Sequence, residues 1–169
     1  MPSFHDQVVE LFQAHYPRLY RYVNRLVGEP DLAADIAQET FVSLYRRGSL
    51  PDAPEAWLIS VAMNRIRNAA STRRRRLRLL TPTRGEGALA DPPRAPDESA
   101  EAGETREQVR RALERVPERE RNLLLLHAEG YAYRDISVAL RLNEGSIGTL
   151  LARARHAFRV AYEEVLGGG

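Results

Sequence analysis

Apolar residues recur at Val8, Leu11, Phe12, Leu19, Val23, Leu26 and Val27, the spacing that turns one face of a helix toward a core. Pro17 falls inside this stretch and is expected to kink or divide the helix, because it removes a backbone donor and crowds the preceding turn. Gly28-Glu29-Pro30 ends the pattern, and Asp31 is the expected N-cap of a second helix. That helix turns inward Leu32, Ile36, Thr40 or Phe41, and Leu44, and ends near Arg47-Gly48. A third starts at Pro54-Glu55, where proline forfeits no needed hydrogen bond. It is expected to pack Trp57, Leu58, Val61, Ala62 and Ile66 before running into Arg73-Arg74-Arg75-Arg76.

From Thr81 the periodicity stops. Pro82, Pro92, Pro93 and Pro96, with Gly85, Gly87 and Gly103, break any helix, so residues 81–104 are expected to be a flexible linker. Order returns at Thr105, which with Gln108 reads as a capping box. Val109, Ala112, Leu113 and Val116 form one helical face, and Pro117 opens a further helix carrying Leu123 to Leu126 and stopping at Gly130. Two more helices follow, about Tyr133–Leu140 and Ser146–Tyr162, separated by Arg141 to Gly145. No useful stretch alternates with a period of two. The fold class is therefore all-α: two small helical domains, about 4–80 and 105–165, joined by a linker.

Charge sharpens this division. Residues 1–80 carry a balance of +4, residues 81–105 a balance of −4, and residues 106–169 a balance of +2, which separates the middle segment from both flanks. All 25 basic residues are Arg, whose planar fork binds phosphate and carboxylate through two bonds at once. The absence of Cys excludes disulfides and thiolate metal sites. The N-terminus lacks the basic segment and apolar run of a signal peptide, and no apolar run approaches the roughly 20 residues that span a bilayer. A cytoplasmic protein without membrane insertion is expected.

The last two helices carry the clearest chemistry. A short helix, a turn and a longer helix bearing Ser146, Thr149, Arg153 and Arg155 describe a helix-turn-helix, whose second helix can lie in a DNA major groove. An ordinary helical hairpin has the same pattern, and the pattern alone does not separate them. Arg73 to Arg76 can neutralise phosphates, yet a solvated helix end looks alike. On the second helix Asp35, Gln38, Glu39 and Val42 share one exposed face, either a docking surface for a basic partner or plain solvated surface. Trp57, the single tryptophan, lies on an apolar stripe, and Asn64 is a candidate buried amide. The four histidines are far apart and no nucleophile motif occurs, so no catalytic site, metal or cofactor is expected.

Taken together, these stretches resemble the extracytoplasmic-function sigma factors of bacterial RNA polymerase. The first half carries Asp35-Ile-Ala-Gln38-Glu39-Thr-Phe41, then Pro54-Glu-Ala-Trp57-Leu-Ile-Ser-Val-Ala-Met-Asn64 and an Arg-rich tail. The second carries Ala112-Leu113-Glu-Arg-Val-Pro117, Glu129-Gly130-Tyr-Ala-Tyr133-Arg-Asp-Ile136, and Gly145-Ser146-Ile147 through Leu151-Ala-Arg153-Ala154-Arg155. The resemblance implies that Asp35, Gln38, Glu39, Phe41 and Val42 bind core RNA polymerase. It implies that Trp57, Asn64 and the loop from Arg46 to Ala53 open the minus-ten element and hold an extruded base. Arg65, Arg67, Arg73, Arg74, Arg75 and Arg76 would supply phosphate contacts that position without specifying. Ser146, Gly148, Thr149, Arg153 and Arg155 would face the minus-thirty-five element. An anti-sigma factor is the family's usual regulator.

The chain departs from the family at Gly148 and Leu150, where basic residues are usual. It also departs at Ser137, Arg141 and Asn68, where alanine, a turn glycine and an acid are usual. The expected function is a transcription initiation factor, not an enzyme, that joins core polymerase and directs it to promoter DNA. Two rivals remain at this level: a stand-alone helix-turn-helix regulator, and a helical adaptor that binds only protein.

Overall fold

The computed structural model describes residues 1–80 and 99–168. These fall into two compact units whose boundary lies within 81–98, and every regular element among the described residues is helical. The linker expected over 81–104 therefore lies mostly outside the described residues.

The first unit is three packed helices, α1 (Phe4–Val27), α2 (Pro30–Arg47) and α3 (Pro54–Leu80). The start of α1 is held by a reciprocal cap: the Ser3 hydroxyl accepts from the Asp6 N–H at 3.1 Å, and the Asp6 carboxylate accepts from the Ser3 N–H at 3.2 Å. The Ser3 hydroxyl also donates to the Asp6 carboxylate at 2.8 Å, and this bond, with the one from the Ser3 N–H, holds the Asp6 carboxyl below its ordinary range. Pro17 does not divide α1, which runs unbroken through it. A mid-helix proline costs about 3 kcal/mol, and here Leu19, Tyr22 and Val23 bury the following turn against both neighbours. Gly28 ends the helix at φ 68° and gives its N–H to the Asn24 carbonyl.

The expected cap at Asp31 is displaced. Helix α2 begins two residues earlier than that cap implies, at Pro30, with Glu29 in the cap position and Asp31 in the first turn, because proline's fixed φ suits the first helical residue. Helix α2 buries Ala33, Ile36, Ala37, Thr40, Phe41 and Leu44, so Thr40 and Phe41 both turn inward, while Leu32 is only half-buried. The Thr40 hydroxyl is satisfied by the Ile36 carbonyl at 2.7 Å. On α3 the fully buried stripe is Ala56, Leu58, Ile59, Ala62 and Met63. Trp57, Val61 and Ile66, expected in the core, are half-buried on its flanks. Residues 72–80 continue α3 and are all exposed.

The second unit comprises α4 (Ala100–Arg115), α5 (Glu118–Ala128), α6 (Tyr133–Leu140), a 3-10 turn (Glu144–Ser146) and α7 (Ile147–Gly167). Helix α4 starts five residues before the expected Thr105. Ser99 is its N-cap, accepting from the Ala102 N–H at 3.2 Å, and Thr105 instead bonds the Glu101 carbonyl from inside the helix. The Thr105–Gln108 capping box is thus not formed, and Gly103 is a helical residue. Ala112 and Val116 of the α4 end pack against Ala161 and Val165 of α7. Arg121 of α5 closes the C-terminus of α4, donating to the carbonyls of Leu113 at 2.9 Å and Val116 at 3.0 Å.

Candidate docking and nucleic-acid interfaces

Helix α2 presents two unlike sides. Its buried side is the core stripe, and opposite it Asp35, Gln38, Glu39 and Val42 are all exposed. Phe41 does not join them. It is 5% exposed, edge-on to Phe12 at 5.2 Å between ring centroids and tilted against Tyr16 at 6.3 Å, so it shapes the surface from below. The four exposed residues join two carboxylates, an amide and an isopropyl group, a surface that suits a partner helix with basic and apolar side chains.

The loop between α2 and α3 is braced at its start, where Arg47 Nη1 donates to the Ser49 carbonyl at 2.6 Å and to its hydroxyl at 2.9 Å. Helix α3 is anchored at its own start by Glu55, which meets Arg18 at 3.0 Å and His15 at 3.2 Å on α1. From this fixed base Trp57 and Val61, one turn apart, lie half-buried, and Asn64 follows on the same side. Asn64 is exposed, contrary to the buried amide expected; it lies one position outside the Met63 stripe, so its amide faces solvent.

The arginines of α3 divide into two kinds. Arg65 is half-buried and engaged within the unit, donating from Nη2 to the Ser43 hydroxyl on α2 at 2.7 Å. Arg67 and Arg73 to Arg76 are exposed. Arg73 meets Glu29 at 3.6 Å, with both side chains close to half exposed, a pairing that solvent and salt weaken. The four consecutive arginines, Arg73 to Arg76, point around the helix and concentrate positive charge on its exposed end. Sequence reasoning missed Ser43 and Glu55 as site residues, and took in Arg47 only as part of the loop from Arg46 to Ala53. Only the Arg–Glu pairing of opposite charges hinted at them, and no spacing rule links residues 37 apart.

In the second unit α6 and α7 form a helix-turn-helix. Ile136, Ile147, Leu151 and Ala154 are fully buried and fix the angle between the helices. The turn places Arg141 at φ 56°, the left-handed region, and the Leu142 N–H returns to the Ser137 carbonyl at 2.8 Å. Asn143 Oδ1 accepts from the Gly145 N–H at 2.9 Å and shapes the 3-10 turn leading into α7. Ser137 is buried and spends its hydroxyl on the Arg134 carbonyl at 2.7 Å, which makes a polar residue tolerable where a methyl would also fit.

Ser146 at the N-cap of α7 shares one exposed face with Thr149 and Arg153 of the helix, at three- and four-residue spacing. Gly148 and Arg155 lie on the adjoining flank, also exposed, so the five predicted residues form two strips. Leu150 is half-buried, beside Ser146 and Arg153 by helical spacing. A Cβ added at Gly148 meets nothing within 4 Å, so the fold does not require glycine there. Among the described residues no cluster of three or more His, Asp or Glu is placed to hold a metal ion, and no helix is long and apolar enough to cross a membrane.

Residues 11–76 match the family description Sigma-70 region 2, and residues 106–157 match Sigma-70, region 4. The chain is 30% identical to the RNA polymerase sigma-H factor of Pseudomonas aeruginosa over 155 residues, covering 84% of this chain and 79% of that protein. It is 28% identical to the ECF RNA polymerase sigma factor SigE of Mycolicibacterium smegmatis over 163 residues, covering 94% of this chain and 61% of that longer protein. Among solved structures, the sigma factor RpoE from Bartonella quintana, co-crystallised with the anti-sigma factor NepR, aligns with a TM-score of 0.65 at 19% identity. That alignment covers 93% of this chain and 97% of that one.

Proposed function

Because the chain belongs to the extracytoplasmic-function sigma factors of RNA polymerase, we propose that it joins core polymerase through the α2 face and opens promoters through α3. The observation that carries this reading is the division of α2. Its apolar side is consumed by the core, whereas Asp35, Gln38, Glu39 and Val42 stay exposed. Four neighbouring residues on one face, unused by folding, are what a docking surface requires.

Trp57 and Asn64 would receive a base extruded from the minus-ten element, the ring offering a stacking surface and the amide offering both a donor and an acceptor. The exposed arginines, Arg67 and Arg73 to Arg76, would hold the flanking phosphates and add salt dependence without sequence preference. Helix α7 would face the minus-thirty-five element with Ser146, Gly148, Thr149, Arg153 and Arg155. The structural relative was crystallised with an anti-sigma factor, and we extend that mode of control to this chain as part of the proposal.

The test is reconstitution. The purified chain mixed with core polymerase is expected to co-elute as a stable complex and to open promoter fragments that core polymerase alone leaves closed. A chain that does not co-elute, or a complex that opens no promoter among genomic fragments, overturns the reading.

A further inference from the structure

Trp57, Val61 and Arg65 succeed one another at four-residue steps along α3, and Arg65 ends this strip on the side facing α2. Its Nη2–H donates to the Ser43 hydroxyl at 2.7 Å, and that hydroxyl in turn donates to the Glu39 carbonyl at 2.9 Å. The two bonds make a short relay from the helix that bears Trp57 and Asn64 to the backbone of a residue on the proposed docking face. Arg65 has no carboxylate partner among the described residues, and its Nε is buried without a hydrogen-bond partner.

An arginine placed for stability alone is expected to pair with an acid, because leaving a guanidinium donor buried and unmatched is unfavourable. An arginine placed to touch DNA is expected to project its head into solvent, as Arg74, Arg75 and Arg76 do. Arg65 does neither. Its guanidinium is held sideways between two helices, where its one strong bond reports the position of α2 to α3.

We propose that Arg65 is a positioning residue that, through Ser43, sets the α3 strip carrying Trp57 and Asn64 relative to the α2 docking face. Docking of polymerase on α2 thereby reaches the DNA-reading strip without any contact between Arg65 and DNA. The hydroxyl is well suited to the relay because it accepts from Arg65 and donates to Glu39 at once. The inference rests on the function proposed above.

The experiment compares wild type, Arg65→Ala, Arg65→Lys, Ser43→Ala and the Arg65→Ala/Ser43→Ala pair as full-length chains with core polymerase. Core binding and promoter opening are read separately. Arg65→Ala and Ser43→Ala are each expected to bind core polymerase within about twofold of wild type and to lower promoter opening about fivefold, the size of one net hydrogen bond. The double variant is expected to be no worse than Arg65→Ala, since both substitutions break one relay. Arg65→Lys, which can still reach the hydroxyl with a single donor, is expected to recover part of the loss.

Three results overturn the proposal. Opening by Arg65→Ala equal to wild type removes the role. Losses that add in the double variant make the two residues independent. A salt slope reduced by about 0.9 in Arg65→Ala but not in Ser43→Ala makes Arg65 a phosphate contact. Should Arg65→Ala lose helicity, Ser43→Ala decides alone, because removing a hydroxyl from a helix face keeps the fold. A wild-type chain that fails to bind polymerase sinks the functional reading itself, whereas a working wild type with indifferent variants sinks only the relay.

Discussion

The two units solve different halves of the same problem. In the first, the side chains left over from packing are chemically pronounced: two carboxylates and an amide on α2, an indole and an amide on α3, and a run of exposed arginines. In the second, the scaffold is fully built, with Ile136, Ile147 and Leu151 wholly buried and the turn closed by backbone hydrogen bonds. Yet its exposed face begins with Ser146, Gly148 and Thr149. A helix-turn-helix can thus be geometrically complete and chemically sparse. Folding and recognition draw on separate residues, so the presence of a motif does not measure how strongly it binds. The sequence-specific share of promoter binding is therefore expected to fall on the first unit.

The largest effects should come from α2, where adjacent residues have opposite duties. Phe41→Ala is expected to lower the stability of the first unit by about 3–5 kcal/mol, because it empties a buried aromatic site against Phe12 and Tyr16. Thermal or denaturant unfolding reads that loss. Asp35→Arg with Glu39→Arg is expected to leave unfolding within about 0.5 kcal/mol of wild type. The same pair is expected to weaken core-polymerase binding about tenfold or more, since each reversed charge turns attraction into repulsion. If Phe41→Ala instead folds normally and loses only polymerase binding, the division of α2 drawn above is wrong.

The next contrast sets the units against each other directly. Asn64→Ala is expected to reduce open-complex formation about tenfold, whereas Thr149→Ala and Arg153→Ala should each cost about threefold or less. Base pairs read by a bidentate side chain are worth about 1–3 kcal/mol, and α7 offers few such groups. Measuring promoter opening by holoenzyme for the three variants orders them. Should Arg153→Ala abolish initiation while Asn64→Ala is tolerated, upstream reading dominates and the comparison reverses.

How much of this was legible beforehand follows the same line. The helices were readable because burial repeats every three to four residues: Tyr133–Leu140 appears with its expected limits, and α2 ends at Arg47 before Gly48 as read. Boundaries set by side-chain caps were not. Thr105 and Gln108 have the right spacing for a box, but Ser99 offers an earlier cap, and Ala100 to Glu104 extend the helix in spite of Gly103, which costs about 1 kcal/mol against alanine. On the candidate sites, exposure of Asp35, Gln38, Glu39 and Val42 was foreseeable from spacing within one helix. Phe41 was one of two residues read as turning inward, and both do; the engagement of Arg65 was not foreseeable, because it depends on what a second helix brings alongside. Arg65 meets Ser43 across 22 residues, and no local pattern encodes that distance.

A smaller effect tests the scaffold of the second unit. Arg141 occupies the left-handed region at φ 56°, where an L-residue costs about 1–2 kcal/mol and glycine does not. Arg141→Gly removes that strain but gives back part of the gain through the freer unfolded chain, leaving a net stabilisation of about 0.5–1 kcal/mol. The unfolding midpoint of the second unit is expected to rise by a few degrees, with α5, α6 and α7 otherwise unchanged. An unaltered or lowered midpoint would mean that the Arg141 side chain contributes a contact outweighing its backbone strain.

The smallest effect asks whether the sparse face of α7 can be refilled. Gly148 stands in the first turn of the helix, exposed, with nothing within 4 Å of an added Cβ. Gly148→Arg therefore meets no steric obstacle and gains helix propensity, since glycine is about 1 kcal/mol worse than alanine in a helix and arginine lies close to alanine. If the first turn of α7 lies against DNA, the new guanidinium reaches a phosphate and releases one more counterion. The slope of log affinity against log salt should then steepen by about 0.9, so that the advantage over wild type shrinks about 3.5-fold between 50 and 200 mM salt. Titrating the full-length wild type and variant on the same upstream duplex across that range reads the difference. A steeper slope means the face was built to meet DNA and lacks only charge. An unchanged slope means that α7 does not approach the duplex by its first turn, and the weakness of the second unit is then one of orientation, which no added arginine on that face repairs.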